Sequence, residues 1–234
     1  MLLGADFEYI NQAFEADRVT PAQLDTLLAN GWRHFGTHFF RYNLGMVGDD
    51  IRLVTPLRIR LSDFSFSKSQ RRVLRENLDL EISIEPLAVD QAAEEMFGRH
   101  KQRFGYHPPE SIYEFLSPNA DVSPCETKQI RVFDRDHLVA VSYFDLGSRC
   151  CSGVYAIFEP GESNRSLGIF TMLKEIEFAI MNGKEFYYQG YAYEGESFYD
   201  YKKRFRGTEF FGWDGNWVTL SEPPASAGGQ SPSC

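Results

Sequence analysis

Between residues 165 and 181 apolar side chains return every three or four positions, at Ile169, Leu173, Ile176 and Ile180, and Asn182-Gly183 closes the run. That period is one face of an α-helix, and Asn-Gly is a common helix stop. The segment predicts the strongest helix of the chain. A second helix is predicted over 20–31. There Thr20 can cap, Pro21 sits in the first turn, Gln23 completes a capping box and Gly31 ends the run. Ser67 and Gln70 repeat the capping-box spacing and predict a short helix over 67–77. "DQAAEEMFGRHKQRF" predicts a helix stopped by Gly105, and "PPESIYEFL" and "FYDYKKRFR" predict shorter ones.

Stretches rich in β-branched and aromatic residues lie between these helices. "HFGTHFFRYN" and "IRLVTPLRIRL" predict strands, with "LGMVGDD" between them as a turn. Further strands are predicted near 80–85, 127–134, 137–146 and 151–158, with "DRDH" as the tight turn after 134. "EFYYQGY" reads as a buried strand, and "EFFGW" with "NWVTL" as a final pair. From about residue 78 the order is strand, two helices, antiparallel run, long helix, strand, helix, strand. This is an α+β arrangement with a mixed sheet and flanking helices. It follows the order of the GNAT (acyl-CoA N-acyltransferase-like) fold. The predicted divisions are a small α/β N-terminal region at 1–66, a GNAT-like domain at 67–220, and a disordered tail at 221–234, rich in Pro, Gly and Ser.

Composition narrows the class. The chain has 234 residues, 43% hydrophobic and 24% charged, enough to bury a core. No apolar run reaches the ~18–20 residues of a membrane span. The opening "MLLGADFEYINQAFEADR" lacks the basic start of a secretory signal. The four cysteines form no CxxC pair, and the adjacent Cys150 and Cys151 fall on opposite sides of a strand. These features predict a cytoplasmic protein with reduced thiols, no membrane association, no disulfide framework and no metal.

Charge changes the picture further. The chain is acidic, with 33 Asp and Glu against 24 Lys and Arg and a formal charge of -9. Yet "SKSQRRVLREN" holds Lys68, Arg71, Arg72 and Arg75, with Glu76 its only acid. On a helix those four cations share a stripe about 100° wide, with Val73 and Leu74 towards the other side. Like charges on one face repel, so the segment predicts an anionic partner over a merely solvated face. A second cluster is Lys202, Lys203, Arg204 and Arg206 around an apolar stripe of Phe198, Tyr201 and Phe205. Two confined patches on an acidic chain fit one docked RNA end better than a long duplex. Before the long helix, "NRSLGIF" places the amides of Arg165 to Gly168 at a helix N-terminus, where anions bind. Acyl-CoA loops of this fold read Q/R-x-x-G-x-G/A. Arg165 and Gly168 fit, but Phe170 takes the last small position, which argues against ordinary CoA binding.

Taken together, "GWRHFG…FFRYN", "TPLRIRLSDFSFSKSQRRVLREN", "GVYAIFEPGESNRSLGIFTMLKEIEFA", "FYYQGYAYEG" and "YDYKKRFRGTEFFGW" resemble the aminoacyl-tRNA–protein transferases. These are the arginyltransferases and the bacterial leucyltransferases that act on N-terminal Asp or Glu. The resemblance runs from about residue 20 to 220. It implies a GNAT-like domain that takes aminoacyl-tRNA in place of acyl-CoA, with no other cofactor. It implies that Ser67, Ser69, Gln70, Arg71, Arg72 and Arg75 belong to the S-x-S-Q-R-R segment, Arg165, Ser166, Leu167 and Gly168 to the R-S-L-G loop, and Tyr201, Lys202, Arg204, Phe205 and Arg206 to the Y-K-x-R-F-R segment. Three departures stand out: the Cys-rich segment before the P-L-R-I strand is absent, the early Cys-Tyr-Leu-type motif is absent, and Gln189 replaces the usual Leu or Met before Gly190-Tyr191.

The implied reaction joins an acceptor amine to the 3′ ester of a charged tRNA. Catalysis must position the two, remove an ammonium proton and stabilise an oxyanion. The amides of Ser166 to Gly168 are assigned the oxyanion and 3′-end contacts, and Gln189 and Tyr191 the orientation of the amine. Arg72, Arg75, Lys202 and Arg204 would hold tRNA phosphates or an acidic acceptor side chain, and the sequence does not divide them. Arginine is the expected donor, with leucine possible, and the expected acceptor is the α-amine of a protein beginning with Asp or Glu; Glu194 and Glu196 either bind a donor guanidinium or are exposed loop acids. The other open readings are transfer to a small-molecule or peptide amine, a CoA-dependent N-acyltransferase, and a non-catalytic tRNA- or protein-binding module.

Overall fold

Both capping boxes close as the sequence predicts. Gln23 N–H donates to the Thr20 hydroxyl and Gln70 N–H to that of Ser67, while each glutamine side chain accepts from the backbone N–H of its cap. The computed structural model describes residues 8–104, 108–117 and 124–220, so the predicted stop at Gly105 and the tail at 221–234 lie outside the described residues. The elements are β1 (Asn11–Glu15), α1 (Pro21–Ala29), β2 (Arg33–Phe35), β3 (His38–Tyr42), β4 (Leu44–Val47), β5 (Asp50–Arg60), α2 (Lys68–Glu76), β6 (Glu81–Pro86), α3 (Gln91–His100), β7 (Thr127–Asp134), β8 (His137–Leu146), β9 (Cys150–Phe158), α4 (Leu167–Met181), β10 (Phe186–Tyr193), β11 (Thr208–Phe211) and β12 (Trp217–Thr219).

β1, β3 and β2 form a small antiparallel sheet. The large sheet runs β12-β11-β5-β10-β9-β8-β7-β6, with β4 paired to β5. Within it β9 and β10 are parallel, and the other neighbours are antiparallel. The fold is GNAT-like α+β. β5, from the first 66 residues, lies between β10 and β11 and so belongs to the large sheet.

Packing follows from alternation along the strands. One face of the large sheet carries α4 and α2, packed through Leu167, Phe170, Leu173, Ile176, Ala179 and Val73 against Ile130, Val132, Phe144, Cys151 and Tyr187. The other face carries α3, through Met96 and Phe97 on Tyr143 and Ile157, and α1, through Leu24 and Leu28 beside Cys150 and Tyr188. Cys150 and Cys151 do face opposite ways. Arg58 is clamped between the rings of Phe186 and Trp217, at 4.0 and 4.2 Å, and donates to Glu209 at 2.6 Å, which locks the final strands to β5.

Several expectations are corrected. "LGMVGDD" is not all turn: Leu44–Val47 pair with β5, and the reversal tightens to Gly48-Asp49. The long helix starts at Leu167, after a 3-10 segment at Pro160–Arg165. Its buried side is centred on Phe170 and Leu173, because the sheet packs there, and Ile180 is left 44% exposed. "PPESIYEFL" makes one 3-10 turn, Ile112–Glu114, and "FYDYKKRFR" is a 3-10 segment, Phe198–Arg204. β1 is exposed at all five residues, so its sequence carries no alternating signal.

Candidate active site

β9 and β10 pair only over Cys150↔Phe186, Cys151↔Tyr187 and Ser152↔Tyr188. Beyond that point β10 continues along β5, with a bulge between Tyr188 and Gly190, and β9 continues along β8. The two strands therefore fork. Gln189, at the bulge, is 3% exposed, and neither its Oε1 nor its Nε2 has a hydrogen-bond partner. A buried amide left unpaired costs about 1–3 kcal/mol, so both atoms call for a partner, a water or a ligand.

Arg33 enters the fork from β2. Its Nη2 donates to the Gly153 carbonyl at 3.0 Å. Its Nη1 is buried without a partner, only 2.6 Å from where a Cβ on Gly190 would stand. Gly190 has φ +91°, so both backbone and space require glycine there. On the α4 side the Tyr187 hydroxyl donates to Glu175 Oε2 at 2.6 Å. A Cβ on Gly153 would lie 2.7 Å from that hydroxyl and 3.0 Å from Glu175 Oε2, so a second glycine leaves the floor of the fork open. Burial pushes the Glu175 carboxyl up to about 7, against the lowering effect of the Tyr187 hydrogen bond.

The third wall is the segment Phe198–Arg204. Lys202 Nζ donates to the Tyr191 carbonyl at 3.3 Å and lies 4.8 Å from the Tyr199 ring centroid. Burial, and then the charge of Arg33, bring its ammonium pKa down to about 7. Lys203 donates to the carbonyls of Tyr193 and Gly195 and pairs with Asp200. These two lysines face β10, unlike the surface helix expected from sequence.

The remaining sequence-assigned residues fall in three places. Lys68, Arg71, Arg72 and Arg75 are exposed together on α2, opposite buried Val73. Ser67 and Gln70 serve the cap of that helix, and the Ser69 hydroxyl lies 3.0 Å from that of Ser67. Arg206 donates to the Ser65 hydroxyl, which brings the second basic segment beside the first, and Arg204 is exposed. Phe205 and Leu167 are core residues. Arg165 is engaged by Asp79 and Glu162. Ser166 has φ +53° and begins α4, and a Cβ on Gly168 would lie 3.1 Å from the Phe158 ring. That helix start is about 12 Å along α4 from Glu175, so the loop and the fork are separate features. Phe170 is buried towards the sheet, so its bulk fills core space. The Tyr191 hydroxyl donates to the Gly31 carbonyl at 2.7 Å and pins β10 to the N-terminal region. Glu194 and Glu196 are exposed, and Arg52 donates to the Glu196 carbonyl.

A second buried cluster joins the small sheet to the large one. His34 Nε2 lies 2.8 Å from Asp145 Oδ2, and its Nδ1 lies 2.9 Å from the Gly36 carbonyl. Thr127 donates to Asp145 Oδ1 at 2.6 Å, and Cys125 Sγ is 3.7 Å from His34 Nε2. The ligand atoms of His34, Cys125 and Asp145 lie within 4.8 Å of one another, a set that could hold a metal. The contacts are also satisfied without one. Burial opposes charge on His34, but the Asp145 carboxylate outweighs it and raises the pKa; when the ring is protonated, both nitrogens donate, one to the Asp145 carboxylate and one to the Gly36 carbonyl.

A family profile described as "Arginine-tRNA-protein transferase, C terminus" matches residues 92–212. The chain belongs to this family. It is an aminoacyl-tRNA–protein transferase. Among its relatives, the aspartate/glutamate leucyltransferase of Vibrio vulnificus (strain CMCP6) is 29% identical over 202 residues, covering 85% of this chain and 84% of that one. The protein of the same name from Helicobacter hepaticus (strain ATCC 51449 / 3B1) is 29% identical over 201 residues, covering 82% and 80%. A crystal structure of FemX matches with TM-score 0.51 at 12% identity, over 86% of this chain and 69% of that one, which bears on the fold alone. Among the described residues no helix is long and apolar enough to cross a membrane.

In this transferase the fork has a readable pH signature. Glu175 has a folded pKa raised above the ordinary carboxylate range to about 7, so the native state holds the extra proton as pH rises towards 7. Stability therefore falls across that window, by up to about 3 kcal/mol. Glu175→Gln is expected to flatten that limb and to melt higher at neutral pH. Melting curves from about pH 5 to about pH 8 read the effect. A wild-type melting temperature that climbs through the window would contradict the burial of a titrating carboxyl.

Proposed function

We propose that this transferase moves leucine from charged tRNA to the α-amine of proteins beginning with Asp or Glu. The observation that carries it is the alignment with aspartate/glutamate leucyltransferases over 80–84% of their own length. The exposure of Glu194 and Glu196 supports leucine over arginine, because a guanidinium would need an enclosed acidic pocket.

The chemistry divides over the surface. Arg71, Arg72 and Arg75, with Arg204 and Arg206 beside them, hold phosphates of the acceptor stem. The amides of Leu167 and Gly168, at the start of α4, steady the 3′ end. The aminoacyl ester enters the fork, where Gln189 has donor and acceptor atoms free to orient the amine. The amine nitrogen attacks the ester carbonyl carbon, a C–N bond forms, and the bond to the ribose 3′ oxygen breaks. The nitrogen sheds two protons in all, one released to solvent and one ending on the ribose oxygen. Glu175, reached through the Tyr187 hydroxyl, is a base whose strength suits an α-ammonium of pKa about 8. Tyr191 acts by holding β10.

Labelled Leu-tRNA and Arg-tRNA, each offered peptides beginning with Asp, Glu or Ala, test the proposal. Leucine transfer to the Asp and Glu peptides is expected. Transfer from Arg-tRNA alone would overturn the donor assignment, and transfer to small amines but never to peptides would overturn the acceptor.

A further inference from the structure

Acids are plentiful in this chain, yet two inward-facing cations lack one. Among the described residues no carboxylate lies within ion-pair distance of Arg33 or Lys202, whereas Arg58, Arg60, Arg99, Arg131, Arg149 and Arg165 all have one. Both cations touch consecutive residues of β10. The Arg33 guanidinium lies over Gly190, and Lys202 Nζ meets the Tyr191 carbonyl. Arg33 Nη1 is buried with no hydrogen-bond partner at all. Two like charges held together in a partly desolvated cleft are costly. Nothing in the packing of β2 or of Phe198–Arg204 requires either to be charged.

We infer that Arg33 and Lys202 together form the subsite for the acidic side chain of the acceptor's first residue. The inference rests on the proposed transfer to N-terminal Asp or Glu and names where that acid is read. A carboxylate at this point would take the orphaned guanidinium nitrogen on one side and the ammonium on the other. Charge-assisted hydrogen bonds of that kind are the strong ones. The acceptor's α-amine, a few bonds away, would then lie beside Gln189. Uncharged Asn or Gln would leave two half-buried cations unmatched, and a site built this way rejects the analogue steeply. Arg72 and Arg75, exposed on α2, play no part in this selection. Of the four cations that the sequence leaves undivided, Arg72, Arg75 and Arg204 thus go to the donor, and Lys202 goes with Arg33 to the acceptor.

The test is the ratio of kcat/KM for paired peptides beginning with Asp or Asn, measured with Leu-tRNA on the wild type, Arg33→Gln and Lys202→Met. The wild type is expected to favour Asp by about 100-fold or more. In both variants that ratio is expected to fall at least about tenfold, chiefly through loss of the Asp reaction. Lys202→Met is also expected to melt higher than the wild type, since it removes a cation with no acidic partner from the cleft. It therefore stays informative even if Arg33→Gln folds poorly. A purely bracing role for these side chains would lower both peptides alike, and an unchanged ratio in both variants overturns the subsite while leaving the transferase function standing. A wild type that modifies neither peptide overturns the function and the subsite together.

Discussion

Replacing Arg72 and Arg75 together by glutamate is expected to weaken binding of aminoacyl-tRNA by at least about 100-fold and to flatten its salt dependence. The two side chains stand on the exposed face of α2, with Lys68 and Arg71 alongside and Arg206 close by through Ser65. Among the described residues their one ion pair is with Glu76, 3.6 Å from Arg72, with the two side chains 65% and 50% exposed. Such a pair contributes little to stability. The double reversal should therefore leave the melting temperature nearly unchanged while it repels the phosphates that the wild-type face attracts. The slope of log affinity against log salt should shrink by about two phosphate contacts' worth. Gel-shift or fluorescence titrations at several salt concentrations read both effects. Unchanged affinity would move the tRNA to another surface.

The second large effect is structural. Asp145→Ala is expected to destabilise the protein by about 3–5 kcal/mol, with the small sheet released first. Asp145 is 1% exposed and is contacted by His34 Nε2 and the Thr127 hydroxyl, so its loss strands a buried imidazolium and a buried hydroxyl at once. The sign of the pH effect follows from the raised pKa of His34. The pair stabilises fully below the unfolded-state pKa of about 6.5. Its contribution fades as pH rises through the folded value. Because Arg33 adjoins His34 on β2, releasing this strand should also cost transfer activity. Denaturant titrations of the wild type and variant at about pH 6 and about pH 8 should show a gap that narrows at the higher pH. A loss under about 1 kcal/mol would mean that the cluster does not bear the junction.

Much of this architecture is written in local pattern. Capping boxes, the helix stop at Asn182-Gly183 and the aromatic strands placed nearly every element, and their order gave the GNAT-like class. Where the pattern misled, a partner element was the reason. β4 reads as a turn because it is short and pairs only with β5. Of the α4 stripe Ile169, Leu173, Ile176 and Ile180, only Ile180 is left exposed, because the sequence does not say which side the sheet lies on. The basic face of α2 was legible because it is a property of one helix. The fork was not, since it exists only where two strands distant in sequence diverge. Gln189 was found, as a polar residue in an apolar strand. Glu175 carried a comparable signal, an acid on the row Thr171, Glu175, Ala179, but on its own it reads as one of several helix charges. Arg33 and His34 were visible only as part of "GWRHFG". Their roles depend on contacts with Gly153 and Asp145, more than a hundred residues away. Lys202 looked solvated because the 3-10 geometry of its segment, which turns it towards β10, is not encoded in the spacing of its charges.

The central claim is that the β9/β10 fork joins leucine from tRNA to an acidic N-terminus. The most direct measurement is tandem mass spectrometry of a peptide beginning with Asp after incubation with Leu-tRNA and the enzyme. One leucine is expected in amide linkage on the α-amine, and none on the same peptide with an acetylated N-terminus. Discharge of the tRNA with the peptide unmodified, or leucine on a lysine side chain, would contradict it.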